Sequence, residues 1–384
     1  MKVSVAARDL KRALNTCNEV APISSAIAEE KTGVLIKASG TNVVFLSSDG
    51  NMSFRVEIPA IKITEEGEAL VKCSSIATSV AATFEEVEED AQIGLETTGK
   101  STLLVSGVNR FGKHSRKFPL LNPGFFIETP SFDDTKATQF PAFSFMDGVN
   151  AVSHAASKDV SKLNFNCIEM KLLDHEVIFA ATDGRQIAEF RKAAEVKGLR
   201  GSFVMSLKFA ALAAKFTNPE LDVVHLYVED DKEGRLLFLK SGGTVLVGSL
   251  LNATFPDYAA FLKTDGFSKA IFPKETFLAI LQGMQPTVDV KSHRLVIDAK
   301  KSGTAMLSTS SISGEAESSD LNVSTPEDFV LHFDSHLLQG TIRQTKGEQF
   351  EFYFSRDAKA KGVLIKSTKD EGFKAFVCSL KQTD

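Results

Sequence analysis

The chain has 384 residues, of which 43% are hydrophobic and 24% are charged, and its formal net charge is −5. This composition is ordinary for a folded globular protein and excludes a largely disordered chain. The length exceeds what one hydrophobic core commonly serves, so two or three domains are expected.

The amino-terminal segment lacks the unbroken apolar core of a secretory signal. Residues 1–15, MKVSVAARDLKRALN, alternate between apolar and polar and then become helical, and nowhere do 18 apolar residues follow one another. The four cysteines, Cys17, Cys73, Cys167 and Cys378, are far apart and form neither a C-x-x-C pair nor a zinc spacing. We therefore expect a cytoplasmic protein with reduced thiols, without a metal or cofactor and without a membrane partner.

A strand-like piece that passes into an amphipathic helix occurs three times, at Val3–Val20, Phe140–Ala156 and Ile271–Met284. We expect comparable places in these helices for Leu10, Met146 and Phe277, which are 136 and 131 residues apart. A period of this length is that of a domain, and it is far longer than a solenoid or propeller repeat.

Each unit carries a second candidate helix with apolar residues at helical spacing: Cys73–Phe84, Ser206–Phe216 and Asp334–Arg343. Short alternating segments predict strands at residues 42–47, 177–181, 223–228, 236–239 and 351–355. The sequence therefore predicts an α+β fold of three repeated domains, each with two helices packed on antiparallel sheet.

Two joints separate the predicted domains. Residues 118–130 contain three prolines and one glycine, and residues 256–268 form the corresponding second joint. The predicted domains span residues 1–132, 133–265 and 266–384.

Charge is distributed unevenly along the chain. Residues 110–117 contain four basic residues and no acid, whereas residues 85–90 and 229–233 form acidic runs. Basic residues also lie on or beside the predicted helices: Arg8, Lys11, Arg12, Lys208, Lys215, Arg343 and Lys346. This pattern suits sequence-independent contact with the phosphates of double-stranded DNA, although solvated helix faces are the alternative. With no Trp and three Tyr, the chain lacks obvious platforms for stacking single-stranded bases.

Two local motifs predict turns when each is taken alone. Thr182-Asp183-Gly184 lies between apolar strands and predicts a tight hairpin, as does Ser48-Asp49-Gly50, 134 residues earlier. Residues 308–313 take that place in the third unit. Residues 255–258, Phe-Pro-Asp-Tyr, predict a strand end followed by a turn.

In combination, these blocks are more specific. Residues 181–188, ATDGRQIA, resemble an A-T-D-x-x-R/H-L-A block, and residues 250–258, LLNATFPDY, resemble an L-x-x-x-x-F-P-D-Y block. Both blocks are typical of the β sliding clamp of bacterial replicative DNA polymerase, in this order and in the second of three units. The resemblance implies a head-to-tail homodimer, a ring of six domains around duplex DNA, and partners that include the DNA polymerase and a clamp loader.

The resemblance also implies site residues. A partner-peptide pocket between the second and third domains would use Phe165, Thr182, Gly184, Arg185, Gln186, Ile187, Pro256, Phe261, Val377 and Ser379. The joint between subunits would bring Arg110 and Phe111 against Ile280 and Leu281. The alternative is that the pocket residues are ordinary core and turn residues.

The sequence departs from the family at two places. Residues 376–384, FVCSLKQTD, replace the family's short Met-Pro-rich tail, and Arg185 stands one place before the family's usual basic position. Both differences suit a divergent or phage-encoded clamp with its own peptide preference.

Two other classes of protein compete with a clamp. A hydrolase or metal enzyme could use Asp183, Asp257, His154, His175 or His225, but no P-loop, G-x-S-x-G or H-E-x-x-H motif is present, so no catalytic site is expected. A phage structural or adhesin-like repeat protein would explain three β-rich units, but neither the basic helices nor the two blocks.

Overall fold

The structure is a computed structural model, and it describes residues 1–21, 33–85, 88–99, 101–196, 198–218, 220–231, 234–312, 314–355 and 361–381. Within these residues, one order of elements occurs three times: a strand, a helix, four strands, a second helix and three strands. The predicted α+β fold of three repeats is confirmed.

The first repeat comprises β1 (Lys2–Ala6), α1 (Ala7–Val20), β2 (Val34–Ser39), β3 (Asn42–Ser48), β4 (Met52–Glu65), β5 (Gly67–Val71), α2 (Cys73–Thr83), β6 (Gln92–Thr98), β7 (Thr102–Asn109) and β8 (Gly112–Pro119). The second comprises β9 (Thr138–Pro141), α3 (Ala142–Val152), β10 (Cys167–Leu172), β11 (Glu176–Thr182), β12 (Gln186–Ala193), β13 (Gly201–Ser206), α4 (Leu207–Phe216), β14 (Val223–Asp231), β15 (Gly234–Ser241) and β16 (Thr244–Ser249). The third comprises β17 (Ser268–Pro273), α5 (Lys274–Met284), β18 (Arg294–Ala299), β19 (Thr304–Ser311), β20 (Gly314–Asn322), β21 (Phe329–Asp334), α6 (Ser335–Gln344), β22 (Gln349–Phe354), β23 (Gly362–Ser367) and β24 (Phe373–Cys378).

The six predicted helices are present in the structure and are therefore confirmed. Each buries one stripe of apolar side chains at helical spacing, which is the pattern that predicted it. One expected equivalence is off by a single position. Leu10 and Phe277 are fully buried at the fourth position of their helices, but the fourth position of α3 is Phe145, which is also fully buried, and Met146 is half-buried. Phe145 is therefore the equivalent residue.

Contacts divide the chain into two compact units. Unit 1 is Met1–Ala142 with Phe216–Leu250, and unit 2 is Phe143–Lys215 with Leu251–Asp384. Unit 1 holds one twelve-stranded sheet. Unit 2 holds an eight-stranded sheet in the order β13-β10-β11-β12-β24-β23-β22-β17 and a four-stranded sheet in the order β20-β19-β18-β21.

The repeats are joined by main-chain pairing between strands. In unit 1, β16 of the second repeat pairs antiparallel with β4 of the first. In unit 2, β24 of the third repeat pairs antiparallel with β12 of the second, with Ile187 opposite Phe376. This is why the division into units runs through the second repeat: each of its two half-sheets continues the sheet of a neighbouring repeat.

The eight-stranded sheet of unit 2 buries apolar side chains on both of its faces. Alternation along β24 shows this, since the Val377 side chain packs into the core of the third repeat, which α5 and α6 cover. Phe376 points to the opposite, outer face, where it packs with Ile187 and with Phe255 from the segment after β16. The predicted second joint therefore covers an apolar stripe on the outer face of the sheet.

Candidate partner-binding site

The turn between β11 and β12 is a hairpin closed by its own side chains. The Thr182 hydroxyl donates to the Gln186 carbonyl at 2.7 Å and accepts from the Gly184 N–H at 3.1 Å. The Asp183 carboxylate accepts from the N–H groups of Arg185 and Gln186 at 2.7 and 2.9 Å. Gly184 has a φ of +87°, which favours glycine because it has no Cβ. The predicted hairpin is confirmed.

The same turn closes the equivalent hairpin in the first repeat. Ser48 donates to the Met52 carbonyl at 3.1 Å, Asp49 accepts from the N–H groups of Asn51 and Met52, and Gly50 has a φ of +89°. In the third repeat, residues 308–312 lead from β19 towards β20, and residue 313 lies outside the described residues.

Arg185 ties this hairpin to the third repeat. Its guanidinium Nη1 lies 3.1 Å from Oδ2 of Asp334, whose side chain is almost completely buried. Asp334 is the N-cap of α6, and its other oxygen accepts from the N–H groups of His336 and Leu337. The Arg185 carbonyl also accepts from the Cys378 N–H at 2.9 Å. The hairpin is thus fixed to β24 and to the start of α6.

Behind the hairpin, a polar seam joins the second and third repeats within unit 2. The buried Gln186 amide donates to the His154 carbonyl at 3.2 Å, and His154 Nε2 lies 3.3 Å from the Thr341 hydroxyl on α6. Burial lowers the pKa of the His154 ring to about 4, against smaller opposing effects of the Ala151 carbonyl and Asp183. This histidine is therefore neutral near pH 7.

The outer face beside the hairpin is apolar. Ile187 and Phe376 pack with Phe255 and Tyr258, and the ring of Phe261 lies 5.4 Å from that of Phe376. Phe261 is 43% exposed, so one face of this aromatic pair is open to solvent. The arrangement offers an apolar floor next to a rim of turn residues.

Tyr258 packs the Phe-Pro-Asp-Tyr segment onto the sheet and is itself buried. Burial raises the pKa of the Tyr258 hydroxyl, and the neighbouring Glu189 raises it further. Glu189 is also buried and accepts two hydrogen bonds from Arg191, at 2.6 and 3.0 Å. The segment that carries Pro256 and Phe261 is therefore held by apolar packing, with the Tyr258 hydroxyl near a paired carboxylate.

The structure brings most of the predicted pocket residues together. The half-buried Phe165 ring lies 3.7 Å from where a Cβ on Gly184 would stand, and Pro256 and Ser379 are half-buried. Val377 is a correction: its side chain is fully buried in the core of the third repeat and cannot line an open surface. Phe376, one residue earlier, points to the pocket side, where it is 4% exposed and packs against the more exposed Phe261.

Phe376, Tyr258 and Glu189 were missed by the sequence analysis. Strand alternation could have found Phe376, since it places every second residue of β24 on the outer face. The contact from Tyr258 to Glu189 spans 69 positions and has no local signal.

Six of the seven predicted DNA-facing residues lie on helices, and Lys346 follows the end of α6. Arg8, Arg12, Lys208, Lys215, Arg343 and Lys346 are exposed, and Lys11 is half-buried at the rim of a groove of about 600 Å³ between α1 and α2. Arg8 also lies beside Asp9 and Glu89, at 3.4 and 3.2 Å, and Lys346 beside Asp147 and Asp370, at 3.7 and 3.4 Å. Of the two acidic runs, residues 86, 87, 232 and 233 lie outside the described residues.

The predicted subunit-interface residues differ in accessibility. Phe111, on the turn between β7 and β8, is 75% exposed and lies under the Arg110 guanidinium at 4.6 Å. Ile280 is half-buried against the core of unit 2. Leu281 is a correction: it is 1% exposed within that core, so its side chain is not available to a second chain.

The site combines apolar side chains with polar backbone groups of a turn. Among the described residues, no group of three or more His, Cys, Asp or Glu side chains could hold a metal ion. The four cysteines are free thiols, as expected, and burial raises the pKa of Cys17 to about 12 and that of Cys167 to about 11. What the site presents is an apolar floor, turn backbone groups and one guanidinium. No described helix is both long enough and apolar enough to cross a bilayer.

Relatives of similar length exist in sequence and in structure. The chain is 20% identical to the beta sliding clamp of Rickettsia felis, over 95% of this chain and 96% of that protein, and 19% identical to that of Chlamydia trachomatis, over 96% and 85%. The DNA polymerase III beta subunit of Thermotoga maritima superposes over both whole chains with a TM-score of 0.85 at 18% identity. The sliding clamp of Bartonella birtlesii bound to griselimycin does so with a TM-score of 0.87. No protein-family model matches the chain.

The fold is accordingly that of a DNA clamp with three repeated domains. Within this class, the resemblance to the bacterial β sliding clamp, the beta subunit of DNA polymerase III, is confirmed in sequence and in fold.

The anchor of Tyr258 leads to a stability prediction. Tyr258→Phe removes the buried hydroxyl beside the Glu189 carboxylate, so we expect the free energy of unfolding to fall by about 1–3 kcal/mol in urea titrations. Tyr353→Phe is the matched control, because its hydroxyl donates to the half-buried Glu351 at 2.9 Å. The control should lose less than about 1 kcal/mol, and equal losses would contradict the anchor.

His154 leads to a pH prediction. Its pKa is lower in the folded chain than the ordinary value of 6.5, so the unfolded chain binds more protons between about pH 6.5 and 4. The free energy of unfolding should therefore fall by about 1–2 kcal/mol as the pH is lowered from 7 to 5, because this ring is only partly accessible. His154→Gln should flatten that dependence in urea titrations and His225→Gln should not, whereas an unchanged slope in His154→Gln would refute the assignment.

Proposed function

We propose that this chain is a DNA sliding clamp: a ring-shaped homodimer that encircles double-stranded DNA and tethers a DNA polymerase through the pocket of unit 2. It would have no catalytic site of its own, would act in the cytoplasm and would need a clamp loader. Its three domains would span residues 1–132, 133–265 and 266–384. The full-length clamp fold and the confirmed resemblance support this function.

The main support for the proposed ring is that the strands β8 and β20 lie at open edges of their sheets. β8, β16 and β24 are equivalent in the repeated order, as are β4, β12 and β20. β16 pairs with β4 and β24 pairs with β12, whereas, among the described residues, β8 pairs with β7 alone and β20 with β19 alone. Pairing of β8 with β20 of a second copy would repeat the same joint, and two such joints about a two-fold axis would close a ring.

The two open edges are complementary in charge. Lys113 and Lys117 of β8 are exposed and lie on the face opposite the buried Phe118. Glu315 and Glu317 of β20 are exposed and lie on the face opposite Ala316, which packs against the core. Both pairs therefore lie on the outer face of their sheets, where antiparallel pairing would place them side by side. Phe111 and Ile280 would add apolar contact to this joint.

The basic helix residues would act on DNA collectively. A link that is topological needs no tight binding, and weak contacts of Lys and Arg with phosphates carry no sequence information. Arg8 and Arg12 share one face of α1, and Lys208 and Lys215 share one face of α4, since residues four and seven apart align on a helix. A clamp of this kind can slide while its overall charge remains negative.

The pocket would hold a short peptide from each partner. An anchor side chain would rest on Ile187 and Phe376 between Phe165 and Phe261, and Arg185 and the hairpin backbone would orient peptide carbonyls or a carboxylate. The pairing of β12 with β24 keeps the two halves of this pocket in register.

Charge reversal tests the ring. A variant with Lys113→Glu and Lys117→Glu, and a second with Glu315→Lys and Glu317→Lys, should each shift towards monomer in light scattering, because like charges would face each other at both joints. An equimolar mixture should recover the dimer, because both joints of the mixed pair are then opposite in charge.

The matched control is Lys37→Glu, since Lys37 lies on β2 in an ion pair with Glu128 and should leave the dimer intact. A wild-type chain that is monomeric at micromolar concentration, or two reversed variants that remain dimers, would refute the proposed joint.

A further inference from the structure

Two rows of side chains cross the outer face of unit 2. The first is the apolar row of the pocket, in which Ile187, Phe376, Leu364 and Tyr353 are successive cross-strand partners on β12, β24, β23 and β22. The second lies two residues farther along each strand and is charged: it consists of Glu189, Lys374, Lys366 and Glu351. About 6.6 Å separates the two rows, the rise of two strand residues.

The centre of the charged row is a pair of like charges. Lys366 and Lys374 are direct cross-strand partners, an arrangement that destabilises a sheet. Burial and the charges of Lys374 and Lys269 lower the pKa of Lys366, against an opposing effect of Glu351. Its ammonium also lies 4.6 Å from the centre of the Tyr353 ring, so the lysine stands directly beside the apolar row.

The carboxylates at the two ends of the row are already paired with other groups. Glu189 accepts two hydrogen bonds from Arg191, and Glu351 lies 3.0 Å from the Lys269 ammonium and accepts from the Tyr353 hydroxyl. In the part of the chain that the structure describes, neither Lys366 nor Lys374 takes part in an ion pair within 4.0 Å. Two ammonium groups thus lie at the border of an apolar floor, and the neighbouring carboxylates are bonded mainly to Arg191, Lys269 and Tyr353.

We infer that Lys366 and Lys374 form an anionic subsite of the partner pocket, which binds Asp or Glu side chains that flank the hydrophobic anchors of the docked peptide. The inference rests on the proposed function, since the pocket is the one assigned to the partner peptide. A peptide that anchors on Ile187 and Phe376 needs two further extended residues to reach the lysines. A carboxylate there would separate the two positive charges and would form charge-assisted hydrogen bonds.

The test uses four fluorescein-labelled peptides of equal length with the same Leu and Phe anchors. Two carry a pair of aspartates, on the amino- or the carboxyl-terminal side, and two carry asparagines there. In fluorescence polarisation at 50 mM salt, we expect one aspartate peptide to bind about tenfold more tightly than its asparagine counterpart. That advantage should shrink at 500 mM salt and disappear in Lys366→Gln with Lys374→Gln, while the asparagine peptides keep their affinity.

Lys240→Gln is the matched control, because Lys240 lies on a strand of unit 1 in an ion pair with Asp134, and it should keep the tenfold advantage. The double variant should unfold at the same urea concentration as the wild type or a higher one, because it relieves the like-charge pair. Three outcomes would overturn the subsite. The aspartate and asparagine peptides could bind equally well, or the lysine substitutions could weaken both types equally. The substitutions could also abolish binding to duplex DNA while the aspartate peptide keeps its advantage. Failure of all four peptides to bind would instead refute the pocket itself.

Discussion

Antiparallel main-chain pairing between consecutive repeats is the constraint on which the rest of the structure depends. The joint of β12 with β24 places Ile187 opposite Phe376 and so creates one continuous outer surface from two repeats. The Arg185 ion pair with Asp334 and the seam around His154 reinforce that joint from the hairpin and from α6. Because the same joint recurs between β4 and β16, a third such joint between two chains would close the ring that we propose.

The two joints within the chain have the same antiparallel strand pairing but different side chains on their outer faces. At the β4 joint, Ser53 stands opposite Val247 where the β12 joint has Ile187 opposite Phe376. The outer face of unit 1 accordingly holds two separate apolar clusters, one under Phe126 and one under Phe132, while the outer face of unit 2 holds a single cluster across the joint. A polar residue thus lies at the joint of unit 1, at the position where the joint of unit 2 has an apolar residue within its continuous cluster.

Local sequence patterns predicted much of the fold. The six helices and the Thr182 and Ser48 turns follow from periodicity and from side-chain hydrogen bonds within five residues, so a single sequence was sufficient to predict them. Val377 and Met146 were each placed one residue from the side chain that has the expected position, and Leu281 was predicted with its neighbour Ile280 but lies in the core. A shift of one residue moves a side chain to the other face of a strand, or turns it by about 100° around a helix. Matching a sequence block or a repeat spacing does not determine on which face a side chain lies. The position of Tyr258 near Glu189 and the lysine row depend on strand neighbours far apart in sequence, which no local pattern reveals.

Encirclement of DNA is the central claim, and the charge-reversed pair tests it directly without a loader. The two variants are mixed in the presence of closed circular duplex DNA, washed in 1 M salt and passed through a sizing column, before and after a single restriction cut. A ring formed around the circle should stay with the DNA through the wash and leave it once the circle is cut, while wild-type dimer added to the closed circle after assembly should wash away. Equal loss from circular and linear DNA, or equal retention on both, would contradict a topological link.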